Sequence, residues 1–224
     1  MDLFRSARAV TGASGGGYVD WDAVAEAAKA STEPGDLALS DADREGYATD
    51  VREARDRVRD VAGVSFDLPD TVEIQNRHHW LDANIETFRR VMQPLEEQVG
   101  TSPGLARVVN TGSMAFALGF ISNHVLGQYD PLLLADGDNH ALYYVRPNIQ
   151  KVADMLEVPY DRFRRWIVFH EVTHAAEFGA APWLSDYLES SMNEAVTKLS
   201  SGNVDKATLG KLDTTMTAVE GYAE

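Results

Sequence analysis

Residues 169–179 read FHEVTHAAEFG. An α-helix turns about 100° and rises about 1.5 Å per residue. His170 and His174 therefore share one face, one turn apart, and both imidazoles can reach a single metal ion. Glu171 lies beside that face. In zinc hydrolases a glutamate so placed does not bind the metal. It takes a proton from water that the metal acidifies to a pKa of about 7, and it can pass that proton to the leaving group. HExxH on a helix is among the stronger short signals, yet about one chain in a hundred of this length would carry it by chance. The flanking runs WIVF and AAEF make the segment mainly apolar. Two histidines and a glutamate buried there must be satisfied by something. A metal does so; a hydrogen-bonded histidine pair beside an ion-paired glutamate is the plainer alternative.

A catalytic zinc takes a third protein ligand and leaves one position open. The metzincin continuation, glycine at 177 and histidine or aspartate at 180, is absent: the chain has Glu177 and Ala180. Glu177 points along the site and suits a role orienting a ligand. Two downstream glutamates remain. Glu194, in NEAVT, echoes the Asn-Glu on the following helix of thermolysin-like enzymes. Glu220, in EGYAE, is followed by Glu224 and resembles the paired carboxylates of other gluzincins, one on the metal and one orienting a histidine. Either could equally be a solvated helix residue.

The elements that must hold these groups are mostly helical. Apolar spacing predicts helices over VDWDAVAEAAKAS, over SDADREG…RDVAGV with its Ser/Asp cap and Gly63 stop, and over DLPDTVEIQNRHHW…EEQVG with a bend or break at Pro94. The small-residue-rich GLARVVNTGSMAFALGFISNHVLG predicts a buried helix. β-prone runs at 130–134 and 141–145 flank ADGDNH and predict a hairpin. A short helix follows over IQKVADMLEV. The motif helix starts at PYDRFRRW, with Asp161 as its cap, and stops at Gly179. Another opens with Pro182 in its first turn, and a final helix covers DKATLGKLDTTMTAVEGYAE. The expected fold is mainly α with one small hairpin. Residues 1–17, ending in GASGGGY, read as a flexible arm before one domain over 18–224. That glycine cluster lacks the Lys-Ser/Thr of a phosphate loop.

The composition narrows the function classes. There is no cysteine, so thiol nucleophiles, disulfides and cysteine zinc sites are excluded. With 35 acidic against 20 basic residues the net charge is −15, a surface that repels nucleic acid and anionic membrane. No apolar run of about 18 residues is evident, so no membrane span is expected, and no secretory h-region opens the chain. A cytoplasmic protein is expected. Acidic excess and 15 arginines against 5 lysines also look like a salt-loving cytoplasm. Among the remaining histidines, the adjacent His78 and His79 make a poor metal pair, His124 reads as a helix position, and His140 is an outside candidate for substrate contact. Tyr222 could donate to an oxyanion. Arg164 and Arg165 read as ion-paired surface residues.

The order of NRHHWLDANIETFRRVMQPLE, VLGQYD, LYYVRPNI, DRFRRWIVFHEVTHAAEF, PWLSDYL and AVEGYAE resembles a zincin-like hydrolase or metallopeptidase-like family associated with coenzyme F-420 (deazaflavin) biosynthesis, frequent in actinobacteria and haloarchaea. The resemblance covers roughly residues 18–224 and is most specific from Val125 to Leu184. It implies a zincin-like helical metalloprotease fold, zinc on His170 and His174, and Glu171 as base. It favours Glu220 over Glu194 as third ligand. The family's later segment reads Glu-Gly-His; here Tyr222 replaces that histidine. The family also continues past this point, so a short member or a fragment is expected. The implied activity is zinc-dependent hydrolysis of a peptide or other amide. The alternative is an inactive zincin-fold binding or assembly protein near deazaflavin metabolism.

Overall fold

A computed structural model of the chain describes residues 2–14, 17–100, 104–130, 140–200 and 206–223. In chain order the elements are α1 (Leu3–Thr11), α2 (Trp21–Ser31), α3 (Asp41–Ala62), β1 (Thr71–Gln75), α4 (Arg77–Val99), α5 (Gly104–Ser122), β2 (Gly127–Asp130), β3 (Ala141–Val145), α6 (Arg146–Met155), α7 (Tyr160–Ala180), α8 (Trp183–Ser200) and α9 (Lys206–Ala223). The mostly helical fold with a small sheet is as the sequence predicts. Two compact units divide the chain, where the sequence reading expects one domain from residue 18. One comprises 1–35, 76–125 and 192–206; the other comprises 36–75, 126–191 and 207–224.

The first unit is helical. Residues 3–11, expected in a flexible arm, form α1, capped by Asp2, whose carboxylate accepts from the Arg5 amide. The helix is fixed to α2 by an Arg5–Glu26 ion pair and by the Asp2 amide donating to the Ala30 carbonyl. α4 is not broken at Pro94 but continues through it to Val99, with Leu95 buried. Proline costs a helix one hydrogen bond and a clash, which burial of neighbouring side chains can offset. α5 departs from expectation twice. It is long and apolar enough to cross a membrane by length and composition. It also buries one face only: Arg107, Thr111, Ala115 and Leu118 lie inside, while Leu105, Val109, Phe116 and Phe120 are exposed. The buried face is tied to the unit by polar bonds, from Arg107 to the Gly17 carbonyl and from the Asp20 amide to Thr111 Oγ1.

The second unit carries the HExxH segment. Its sheet has the order β1-β3-β2, with β3 parallel to β1 and antiparallel to β2. β3 is the expected strand. Its antiparallel partner is Gly127–Asp130, a few residues before the predicted run, pairing Gly127 with Tyr144 and Asp130 with Ala141. The rest of that run and most of the ADGDNH turn lie outside the described residues. The sequence pattern places β1 inside the start of a helix. TVEIQ instead alternates β-branched and polar side chains at period two and closes on β3, while Asn76 caps the helix that follows.

α3 and α7 form the frame of this unit. α3 opens with a complete Ser40/Asp43 capping box and ends at Gly63, whose φ of 66° is the left-handed conformation that glycine adopts at no cost. α7 begins after Pro159, with Asp161 in the first turn rather than at the cap, and runs to Ala180. It buries Phe163, Ile167, Val168, Val172, Ala175 and Ala176 at helical spacing against Tyr47, Val51 and Ala54 of α3 and Leu142 and Tyr144 of β3.

Candidate metal centre

α7 projects His170 and His174 from one face, as the four-residue spacing requires, and their Nε2 atoms stand 3.1 Å apart. Glu220, on α9, brings Oε2 to 3.5 Å from His170 Nε2 and 3.9 Å from His174 Nε2. Among the described residues these three form a group whose ligand atoms all lie within 4.8 Å of one another. Two nitrogens each about 2.0–2.1 Å from one tetrahedral zinc stand roughly 3.3 Å apart, so the imidazole pair is spaced to share one ion. The donor set of two imidazoles and a carboxylate is also that of a catalytic zinc site.

The outer edge of His174 is fixed. Its Nδ1 is 2.9 Å from Glu177 Oε2, and a carboxylate can only accept there. Nδ1 therefore carries the proton and Nε2 turns its lone pair toward His170 and Glu220, the arrangement that orients metal-binding histidines generally. Glu177 thus occupies the orienting position foreseen for it. Burial works to lower the His174 pKa, but the Glu177 hydrogen bond and the charges of Glu171, Glu177 and Glu220 outweigh it, and the net direction is upward. His170 differs: its Nδ1 is buried and has no hydrogen-bond partner among the described residues.

Glu171 is 6% exposed and turns toward the sheet. Its Oε2 accepts from the Tyr129 amide at 2.9 Å. Desolvation pushes the pKa up to about 7, against the lowering effects of His174 and the Tyr129 N–H and with some help from the Glu220 charge. Only glycine fits beside it. A Cβ on Gly127 would lie 2.5 Å from Glu171 Cγ and 2.6 Å from Oε1. Gly127 and the Tyr129 amide are the parts that sequence reasoning missed. The predicted strand begins at 130, past both groups, and no spacing rule links them to a residue more than forty positions later. Tyr144 is a third neighbour. Its buried hydroxyl has no partner among the described residues, and burial first, then the Glu171 charge, hold its pKa far above the usual phenol value.

A buried ion pair sets the height of α7 on α3. Arg164 Nε donates to Asp50 Oδ2 at 2.9 Å, with both side chains buried. Arg164 is therefore an interior residue, not the surface one expected; Arg165, half-buried, pairs with Asp50 and Glu53. Gly46 leaves room for the Arg164 guanidinium, which a Cβ would meet at 2.7 Å, and the guanidinium lies over the Tyr47 and Tyr160 rings.

The remaining candidates make other contacts. Glu194 belongs to the first unit and pairs with Lys198 one turn on, at 2.9 Å. His140 Nδ1 meets the Tyr129 hydroxyl at 2.7 Å, with the two rings stacked. His78 bonds the Thr32 carbonyl, His79 donates its amide to the Asn76 cap, and His124 bonds Phe120 O one turn back. Tyr222, 74% exposed, sits on the rim of a cleft beside His170. Glu224 lies outside the described residues.

Residues 19–207 match the family described as zincin-like metallopeptidase. A crystal structure from Chloroflexus aurantiacus, of a protein provisionally described as a hydrolase and as having a novel fold, is similar over 100% of this chain and 67% of that one. The TM-score is 0.69 and the identity 28%. No curated protein matches the chain.

Proposed function

Because the chain belongs to the zincin-like metallopeptidase family, we propose that it is a zinc-dependent hydrolase, most simply a metallopeptidase, with Glu171 as general base. The convergence of His170 Nε2, His174 Nε2 and Glu220 Oε2 carries this reading. These three would hold the ion. Zinc, when bound, supplies a Lewis acid that polarises the substrate carbonyl and lowers the pKa of the attacking water to about 7.

The chain's own groups do the rest. Glu177 holds the His174 tautomer. The Tyr129 amide holds Glu171, and burial raises its proton affinity, as suits a group that must both take and release a proton. Glu171 accepts a proton from the attacking water and returns it to the departing nitrogen.

Metal counting with peptide turnover tests this. About one zinc per chain is expected, lost in His170→Ala and strongly weakened in Glu220→Ala. Glu171→Gln should keep the metal and lose activity by about 10²–10⁴-fold. Zinc retained in Glu220→Ala would remove Glu220 from the ligand set. A chain that binds zinc but turns over no amide, whatever stands at 171, would favour the alternative of a zincin-fold binding or assembly protein linked to deazaflavin metabolism.

A further inference from the structure

A cleft of about 700 Å³ runs along α7 beside His170, between the second half of α3 and the end of α9. Arg162, Trp166 and His170 are successive four-residue steps on one α7 face, so Arg162 lies about 12 Å along the helix from His170. That is about four residues of extended peptide, less the reach of the arginine. Arg57 faces the cleft from α3 and Arg165 from α7. Three guanidiniums thus line one cleft in a chain of net charge −15.

Their states differ. Arg165 is held by Asp50 and Glu53. Arg57 and Arg162 are exposed and have no carboxylate partner among the described residues, although most arginines of this acidic chain do. Trp166, 53% exposed, gives the cleft an apolar wall. Planar guanidiniums beside such a wall suit a carboxylate on a short aliphatic stem, because the fork matches the two oxygens and the stem packs on the ring.

We infer that this cleft binds a carboxylate of the substrate, a few residues from the amide to be cut. The inference rests on reading the His170 centre as the hydrolytic site. The carboxylate comes from an acidic side chain or from a free chain end. A cationic substrate is rejected there by like charge.

Calorimetric titration tests it on the full chain carrying Glu171→Gln, so that no peptide is consumed, before and after zinc loading. The probes are acetyl-tetra-alanine amide, the same peptide with one alanine replaced by glutamate, and acetyl-tetra-alanine with a free carboxylate. One of the two acidic probes should bind about tenfold tighter than the neutral amide, and which one identifies the source of the carboxylate. The advantage should vanish in Arg57→Ala/Arg162→Ala. Arg57→Glu/Arg162→Glu should instead prefer a lysine-bearing probe, which also shows that the variant is folded. Equal binding of all probes, no binding, or an advantage that survives the double substitution overturns the inference. Zinc content in the same preparations separates the two readings. Zinc without carboxylate preference removes this one alone, and carboxylate preference without zinc removes the hydrolase.

Discussion

The Glu171 carboxyl loses its hydration between α7 and β2, and its pKa rises from an ordinary 4.5 to about 7. A carboxyl whose folded pKa lies above its unfolded one favours the fold at low pH and loses that contribution as pH rises through the folded value. His174, also raised, acts in the same direction. The metal-free protein should therefore lose stability between about pH 4.5 and 7 from Glu171. The full difference is roughly 3 kcal/mol at one pKa unit per 1.36 kcal/mol. Glu171→Gln should raise urea resistance of the metal-free protein at pH 8 and leave it unchanged at pH 4; equal effects at both pH values would refute the burial argument. Gly127 acts on the same carboxyl through space alone. Gly127→Ala should keep the ligands but displace Glu171, costing about 1–3 kcal/mol of stability and at least tenfold in turnover, with zinc content unchanged. Wild-type activity in that variant would remove Glu171 from its observed position as the working one.

Helix α7 presents its two imidazoles in place only if its register on α3 is fixed, and the Arg164–Asp50 pair does this from the interior. Asp50→Ala leaves a buried guanidinium without its partner, a change that costs about 3–5 kcal/mol. Chemical denaturation should show that loss, and zinc affinity should weaken although no ligand has changed. These elements were legible to different degrees for physical reasons. The motif helix and α3 could be read because their caps, stops and apolar periods are local. The pairing of His170 with His174 followed from helix geometry alone. Only resemblance separated Glu220 from Glu194, since a side chain brought in by another helix leaves no spacing signal. β1 was hidden because five residues before a strong helix read as its first turn. Arg164 was misplaced to the surface because its partner Asp50 is more than a hundred positions away. The exposed stripe of α5 was invisible because an apolar run does not say which side is covered.

At the scale of the whole chain, charge is the property that every element shares. An excess of 15 negative charges opposes compaction. Raising the ionic strength from about 0.15 M to 1 M shortens the screening length from about 8 Å to 3 Å. The melting temperature should therefore climb over that range of potassium chloride; a flat or falling profile would contradict the salt-adapted reading of the composition. The division into units has a consequence of another kind. The chain crosses between them after residues 35, 75, 125, 191 and 206, and the segment carrying Glu220 comes after the last crossing. During synthesis the imidazole pair leaves the ribosome well before that carboxylate does. A nascent chain halted before α9 brings the two imidazoles together without the carboxylate, so the three donor atoms assemble only once α9 has emerged.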